Sequence, residues 1–269
     1  MNIELNGKTV SIAAGAVLSD AVALAGKGPD AITVVDGYQT NENLPLAEGS
    51  RVVVLRKDEI PGSDEALAML CARNNPGVTE KLQRAHVAVA GLGGLGSNVA
   101  TELARVGVGH LHLVDFDTVD ATNLNRQLYF LRDLGQKKTE ALRRQISEIT
   151  PCCTVTIDSV RVTEDNVEEL FAKDDYICEC FDKPEAKAVL VYTVLEKFPE
   201  KYLVAASGMA GCGSSNEIRT RHVLGRFYLC GDGVSGAQRG RGLMAPRVTV
   251  CAAHEANMVL RLILGEKDA

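Results

Sequence analysis

The chain has 269 residues, of which 46% are apolar and 24% charged, and its 29 basic and 35 acidic side chains give a net charge of −6. This composition is typical of a folded globular protein and excludes wholesale disorder. The acidic balance argues against nucleic acid as a partner, because phosphate binding requires a basic footprint. No apolar run reaches the length of about eighteen residues that a membrane helix needs, and the amino end lacks a signal-like pattern, so we expect a cytoplasmic protein without membrane attachment.

The first 60 residues predict a small domain of their own. Strand-like patterns over 3–5 and 9–12 flank Asn6-Gly7, a dipeptide that accepts the positive φ angles of a tight hairpin turn. Ser19-Asp20 is expected to open a short helix, because a hydroxyl can cap a helix and a carboxylate is favourable at its amino end. Two further strands are predicted over 32–35 and 51–55. This order of elements indicates a ubiquitin-like β-grasp domain over residues 1–60.

A linker and the start of a connecting helix are predicted over 61–72, and a second domain over 73–269. In the second domain, strands and helices alternate with short connections. The predicted strands cover 86–90, 110–114, 154–160, 176–180 and 202–206, and the predicted helices cover 97–106, 138–149, 165–171, 184–197 and 247–264. Such alternation predicts an α/β fold with a Rossmann-like, mostly parallel sheet that carries helices on both faces.

A glycine-rich loop follows the first strand of this second domain. The run GLGGLGS at residues 91–97 stands between that strand and a helix, so that its glycines, Gly91, Gly93, Gly94 and Gly96, would let the backbone approach an anion at the amino end of the helix. Asp115 comes nineteen residues after Gly96, at the end of the next strand, where a carboxylate can accept hydrogen bonds from ribose. The pattern predicts a nucleotide site, although a glycine turn can also serve helix–strand packing alone.

The charged residues after the loop indicate which nucleotide binds. Arg126 and Lys138 lie in polar segments over 115–127 and 135–138, and Asp182 follows the strand over 176–180. A triphosphate under attack carries more charge than the pyrophosphate of a dinucleotide and is best bound by fixed cations. Singly, such side chains are usually solvated surface residues. Together they favour ATP, with Asp182 as a candidate magnesium ligand.

Four motifs carry a family resemblance: GLGGLGS at 91–97, DFDxV at 115–119, NLNRQ at 123–127 and GxxK at 135–138. They resemble the ThiF/MoeB/HesA family, which is related to the nucleotide-binding half of ubiquitin-activating enzymes, over about residues 70–265. The resemblance implies that Asp115 binds the ribose and that Asn123, Arg126 and Lys138 bind the ATP phosphates. Asp117 and Gln127 belong to the same motifs and are assigned to the ATP site with them.

The resemblance also assigns two residues outside those motifs. Asp182 would be the magnesium ligand and the acid required for adenylation. Arg73 would reach across a homodimer to the ATP of the neighbouring subunit. Adenylation is the attack of a carboxylate on the α-phosphorus of ATP with release of pyrophosphate.

The amino-terminal domain resembles the sulfur carriers ThiS and MoaD, which end in a reactive Gly-Gly carboxylate. Here the chain continues through Gly62 into further sequence, so this copy has no free glycine end. The two resemblances together imply a ThiF-like adenylyltransferase with a fused ThiS-like domain. It would adenylate a separate ubiquitin-like sulfur carrier in thiamine thiazole biosynthesis.

The eight cysteines include no C-x-x-C pair, so a local four-thiolate zinc site cannot form and we expect no zinc. Cys230 is the thiol nearest to the first cysteine pair of many family members, and it is either reactive or a structural remnant. Three other functions stay open: an NAD-dependent oxidoreductase, a relative that adenylates a tRNA-modification intermediate or a peptide carboxylate, and a non-catalytic scaffold.

Overall fold

The computed structural model describes residues 1–28, 30–75 and 77–269. The chain forms two compact units, Met1–Lys81 and Leu82–Ala269. Both parts of the predicted fold class, the β-grasp domain and the Rossmann-like domain, are confirmed. Within the described ranges, no helix has both the length and the apolar character needed to cross a membrane.

The amino-terminal unit is built on a five-stranded sheet with the order β2-β1-β5-β3-β4. Its elements are β1 (Asn2–Leu5), β2 (Lys8–Ser11), α1 (Leu18–Ala25), β3 (Ile32–Val35), β4 (Tyr38–Gln39), β5 (Arg51–Leu55) and α2 (Ser63–Arg73). Helix α1 packs on one face of the sheet, where Leu18 and Ala21 meet the side chains of Ile3 and Val52. Helix α2 covers the other face. Its Ala68 and Ala72 pack with Val34 and Val53.

Helix α1 begins two residues earlier than expected from the predicted cap at Ser19. Val17 is its N-cap residue, and Ser19 and Asp20 lie inside the first turn. The carboxylate of Asp20 accepts a hydrogen bond of 2.8 Å from the N–H of Val17. Asp20 therefore stabilises the helix start from the third helical position, as in a capping box, and not as the cap itself.

The larger unit is a seven-stranded sheet with the order β11-β12-β10-β9-β6-β7-β8, in which every neighbouring pair is parallel except β11 with β12. Helix α3 (Val78–Arg84) spans the boundary between the units. The elements after it are β6 (His86–Ala90), α4 (Gly94–Val106), β7 (His110–Val114), α5 (Lys138–Ile149), β8 (Thr154–Asp158), α6 (Glu164–Leu170), β9 (Tyr176–Glu179), α7 (Pro184–Lys197), β10 (Tyr202–Ala206), β11 (Arg219–Leu224), β12 (Phe227–Gly231) and α8 (Ala245–Leu264).

The sheet is buried between two layers of helices. Phe171, Ile177 and Leu190 belong to a fully buried cluster on the side of α6 and α7, and α4 and α8 pack against each other. Strands β11 and β12 were missed in the sequence. Most of β11 is exposed at the sheet edge, so its polar sequence RTRHVL carries little apolar signal.

The order of the strands reverses beside β6. The chain runs outward from β6 to β7 and β8, and then crosses back to β9 on the other side of β6. In open α/β sheets of this kind, ligands bind in the crevice at the carboxyl ends of the strands at this reversal. The ends of β6, β7 and β9 carry Gly91, Asp115 and Asp182, respectively, so the topology brings these three predicted site residues to one edge.

Candidate active site

The glycine loop makes a tight turn between β6 and α4. Gly91 has φ +91°, in the left-handed region that favours glycine. A methyl group on Gly96 would lie only 1.8 Å from the carbonyl oxygen of Gly91, so the helix can approach the strand end because residue 96 has no side chain. Helix α4 begins at Gly94. The N–H groups of its first turn have no partner inside the helix, and such groups at a helix start can bind an anion.

Asp115 fastens this loop to the end of β7. The residue is 7% exposed. One of its carboxylate oxygens accepts a hydrogen bond from the N–H of Leu92 at 2.7 Å, and the other accepts one from the N–H of Asp117 at 2.8 Å. Since an ionised carboxylate has about four lone-pair sites, Asp115 can hold the loop and still accept a hydrogen bond from a ligand hydroxyl.

Lys138 is a buried cation at the start of α5. It is 6% exposed, and its Nζ lies 3.2 Å from the carboxylate of Asp117. Its backbone N–H also donates to the carbonyl of Asp117 at 3.1 Å, so the two residues are joined twice. The fold thus holds the ammonium group in one place, with little freedom to move into solvent.

The segment over 120–127 lies against the glycine loop. The side-chain oxygen of Asn123 accepts a hydrogen bond of 3.1 Å from the N–H of Asp120. The Cγ atom of Arg126 is 3.4 Å from the position that a Cβ on Gly94 would take. The guanidinium of Arg126 donates to the side chain of Asn125 at 2.8 Å and has no acidic partner within the described residues. Arg126 is thus a cation next to the loop whose charge is not neutralised by an ion pair.

Gln127 carries an unsatisfied polar atom at the same place. The residue is 7% exposed, and its Oε1 is a buried acceptor without a hydrogen-bond partner among the residues that the structure describes. Its Nε2 lies 3.7 Å from the position of a Cβ on Gly93. Because an unpaired buried acceptor costs free energy, this oxygen is suited to receive a hydrogen bond from a ligand.

Asp182 lies three residues after the end of β9, in a segment that contacts the glycine loop. The ring of the preceding residue, Phe181, is 2.8 Å from the position of a Cβ on Gly91. Asp182 itself is exposed, and its carboxylate has no hydrogen bond or ion pair to any residue that the structure describes. The remaining predicted residue, Arg73, is the exposed last residue of α2 and belongs to the amino-terminal unit.

Two buried ion pairs beside the site were missed in the sequence. Lys187 pairs with Glu179, with Nζ 2.8 Å from Oε2. Arg247, in the first turn of α8, pairs with Asp232 at 2.6 Å and also donates to the carbonyl of Gly213. No motif marks these residues, because each acquires its partner only through the fold.

The Arg247–Asp232 pair joins the loops that follow β10 and β12. Burial raises the pKa of Asp232, but hydrogen bonds from Ser235 and Val234 and the pairing with Arg247 outweigh it and hold the pKa well below its usual range. The residue after Arg247, Val248, has its Cγ1 3.0 Å from the position of a Cβ on Gly94. These loops are therefore anchored to the helix that packs on the glycine loop.

Cys230 lies in β12 and is fully buried. Burial raises the pKa of its thiol to about 12, so the thiol stays protonated and is a poor nucleophile. This favours the structural interpretation of Cys230. Among the residues that the structure describes, no group of three or more His, Cys, Asp or Glu side chains has the arrangement of a metal site.

The structure is a Rossmann-like α/β domain with a candidate nucleotide site, preceded by a β-grasp domain. The model of the ThiF family matches residues 66–269, and that of ThiS-like ubiquitin matches residues 1–58. The chain therefore belongs to the ThiF family and carries a ThiS-like ubiquitin domain at its amino end.

Two relatives and one solved structure are particularly similar. The tRNA threonylcarbamoyladenosine dehydratase of Escherichia coli is 40% identical over 130 residues, 47% of either chain. The adenylyltransferase and sulfurtransferase UBA4 of Kluyveromyces lactis is 32% identical over 193 residues, which are 69% of this chain and 43% of UBA4. The chain thus spans about half the length of the curated relatives it matches. The crystal structure of the E. coli dehydratase in complex with ATP superposes with a TM-score of 0.67 at 23% identity, covering 75% of this chain and 94% of that one.

Proposed function

We propose that this protein catalyses the ATP-dependent adenylation of a carboxylate, and that its substrate is the C-terminal glycine of a ubiquitin-like sulfur carrier protein. The observation that carries the proposal is a pair of cations: Arg126 lies against the glycine loop, and Lys138 is connected to that loop through Asp117 and Asp115. Lys138 is buried at a fixed position, and Arg126 lies against the loop without an acidic partner among the described residues. Two fixed cations suit a triphosphate under attack better than the pyrophosphate of a dinucleotide.

The surrounding residues fit ATP as well. The unsatisfied Oε1 of Gln127 requires a donor, and a hydroxyl or amino group of a nucleoside supplies one. Asp115 retains accepting capacity for ribose, and the first turn of α4 offers N–H groups to phosphate oxygens. Asp117 orients Lys138, and Asn123 shapes the segment that carries Arg126. Each residue in this set thus has a role in binding or orienting the nucleotide.

In the proposed reaction, a carboxylate oxygen of the carrier attacks the α-phosphorus of ATP, the bond to the β-phosphate oxygen breaks, and pyrophosphate leaves. The protein contributes mainly position and charge. Arg126 and Lys138 stabilise the negative charge that develops on the leaving pyrophosphate. Magnesium, when bound with ATP, would neutralise further phosphate charge, with Asp182 as its protein ligand, since Mg²⁺ is usually held by one or two carboxylates together with substrate phosphates. Arg73 would act on the ATP of a second copy of the chain in a homodimer.

The ThiS-like domain and the similarity to UBA4 support a ubiquitin-like carrier as substrate, and the ThiS likeness supports thiamine thiazole synthesis as the setting. The carrier must be a separate protein. Gly62 is the N-cap residue of α2 and is followed by Ser63, so its carbonyl is part of a peptide bond. A second candidate is activation of a carboxylate in tRNA modification, which is supported by the similarity to the E. coli dehydratase.

A mass measurement separates the candidates. The protein is incubated with ATP, Mg²⁺ and carriers ending in Gly-Gly, and the carriers are weighed for an added AMP. Carriers without the last glycine are the control for the carboxylate, and a protein with Asp182→Ala is the control for the site. In parallel, tRNA bearing N6-threonylcarbamoyladenosine is tested for ATP-dependent conversion. Adenylated carrier supports the main proposal, conversion of tRNA alone replaces it with the second candidate, and no reaction in either arm overturns both.

A further inference from the structure

A buried lysine–glutamate pair joins three elements directly beside Asp182. Glu179 is the last residue of β9, and its side chain is 1% exposed. Lys187, near the start of α7, has its Nζ 3.1 Å and 2.8 Å from the two carboxylate oxygens of Glu179 and 2.9 Å from the carbonyl oxygen of Ala206 at the end of β10. All three donors of the ammonium group are thus used inside the protein.

The pair also holds the backbone that leads to Asp182. Oε1 of Glu179 accepts a hydrogen bond of 2.8 Å from the N–H of Phe181. Glu179 thus fixes the chain just before Asp182, and Lys187 fixes the helix that begins two residues after it. Because the Asp182 carboxylate has no partner among the described residues, its position depends on this backbone alone.

Stability is a weak explanation for such a pair. Burial raises the pKa of Glu179, and the charge and hydrogen bonds of Lys187 oppose that effect. Replacing a buried ion pair with apolar residues of similar volume is often neutral or stabilising. An apolar pair would lack the hydrogen bonds with the N–H of Phe181 and the carbonyl of Ala206. They fix geometry at the carboxyl ends of two neighbouring strands.

We propose that Glu179 and Lys187 are positioning residues that hold Asp182 in the orientation required for adenylation. The inference rests on the proposed function of the site. It assigns the pair no contact with substrate. We expect its effect mainly on the rate of the chemical step, because Asp115 holds the glycine loop at Leu92 and Asp117 holds Lys138 without any contact from the pair.

The test uses three variants of the 269-residue chain and one matched control. Lys187→Met removes the cation, and the double variant Glu179→Gln/Lys187→Met removes both charges, so that no buried charge is left unpaired. Lys187→Arg keeps the cation as the conservative variant. The control is Lys201→Met, because Lys201 also donates to three carbonyl groups, including those of Ala172 and Asp174, but lies at the amino end of β10, at the opposite edge of the sheet.

Hydrogen exchange of the amides over 181–187 is measured together with carrier-dependent ATP–pyrophosphate exchange. We expect the double variant to fold, to exchange these amides on the order of tenfold faster, and to lose kcat by about tenfold to a hundredfold with little change in KM for ATP. Lys187→Arg should recover most of kcat, and Lys201→Met should change neither the amides nor kcat.

Unchanged amide exchange in the double variant overturns the inference, whatever the enzyme activity. Faster amide exchange with an unchanged kcat overturns it too, because the pair then has only a structural role. If the wild-type protein shows no pyrophosphate exchange with any carrier, it is the proposed function that fails, and the amide measurement still decides whether the pair holds the Asp182 segment.

Discussion

Lys138 is a lysine that the fold has almost removed from water, and Asp117 is its ion-pair partner. Its neighbour Lys137 is exposed and donates only to the carbonyl of Phe116 among the described residues. The sequence alone makes two adjacent lysines equivalent candidates, apart from the family resemblance. The structure distinguishes them, because Lys138 is buried and Lys137 is exposed. A buried charge interacts more strongly with a ligand, since water screens an exposed one.

Lys138→Met should lower kcat/KM for ATP–pyrophosphate exchange by roughly a hundredfold, since loss of one preorganised charge in a site costs about 3 kcal/mol of transition-state stabilisation. The matched variant Lys137→Met should change it by no more than about twofold, as for a surface substitution. Steady-state kinetics of the two variants gives the comparison. Equal losses in both would contradict the assignment of Lys138.

His112, in the middle of β7, lies between two carboxylates. Nδ1 is 2.9 Å from Asp174 and Nε2 is 2.9 Å from Asp158, and the ring of Phe171 packs against it. Burial lowers the pKa of His112, but the hydrogen bonds and charges of Asp174 and Asp158 outweigh it, so that the pKa is raised. When the ring is protonated, both of its N–H groups donate to acidic residues in the folded state.

This raised pKa predicts how stability depends on pH. The contribution of His112 is fully present below its unfolded pKa of about 6.5 and is lost as pH rises through the higher folded value. The free energy of unfolding should therefore differ most between the wild type and His112→Asn at acidic pH, and the difference should shrink above neutrality. Denaturant titrations across this range measure it, with the exposed His222→Asn as control. A difference that grows with pH would refute the predicted sign.

At the scale of elements, the turn between β6 and α4 decides how close the helix comes to the strand. Gly96 sits inside α4, where glycine is normally unfavourable. Here the Gly91 carbonyl leaves no room for a side chain. Gly93, in the same loop, has space for a methyl group, since the nearest atom to the position that its Cβ would take is Nε2 of Gln127 at 3.7 Å. The loop's glycines are therefore not interchangeable.

Gly96→Ala should destabilise the protein by about 3 kcal/mol, because the methyl group would force the helix away from the strand. Gly93→Ala should cost about 1 kcal/mol or less. Chemical denaturation of both variants and isothermal titration with ATP test the prediction. If Gly96→Ala is as stable as Gly93→Ala, the close approach at Gly96 does not constrain the fold.

At the scale of the whole molecule, the chain divides into two compact units, Met1–Lys81 and Leu82–Ala269. The clusters around Val52 and Val53 belong to the β-grasp unit, whereas the cluster around Ile177 belongs to the sheet unit. The proposed ATP site uses the sheet unit for its glycine loop, cations and acid. Ligand binding should therefore stabilise the two units unequally.

ATP with Mg²⁺ should stabilise the unit over 82–269 by about 2.7 kcal/mol at a hundredfold excess over Kd, and NADH should not. Hydrogen exchange resolved by segment measures this, since protection should rise over 91–97 and 126–138. Protection by NADH in place of ATP would favour the oxidoreductase alternative and overturn the proposed adenylation.

Local sequence patterns alone predicted much of the fold of this protein. The alternation of strands and helices from His86 onward predicts the parallel sheet, and the glycine run marks the ligand edge, because backbone geometry and apolar periodicity depend on near neighbours in the chain. The predicted bounds of β6, β7, α5, α7 and β10 match the structure. Asp115 was predicted as a site residue from its distance to that run, and Arg126 and Lys138 from their positions in the polar segments that follow it; their roles remain predictions.

Only the tertiary structure decided which charged residues are buried and paired. Glu179 and Lys187 are eight positions apart, and Asp232 and Arg247 fifteen. Their pairing depends on how strands and helices are placed, and no local pattern encodes it. The edge strand β11 escaped prediction for a related reason, since it is paired on one side only and lies largely in solvent. Which charges are buried and which strand lies at the sheet edge depend on contacts between residues that are far apart in the chain. Local sequence patterns therefore do not predict them.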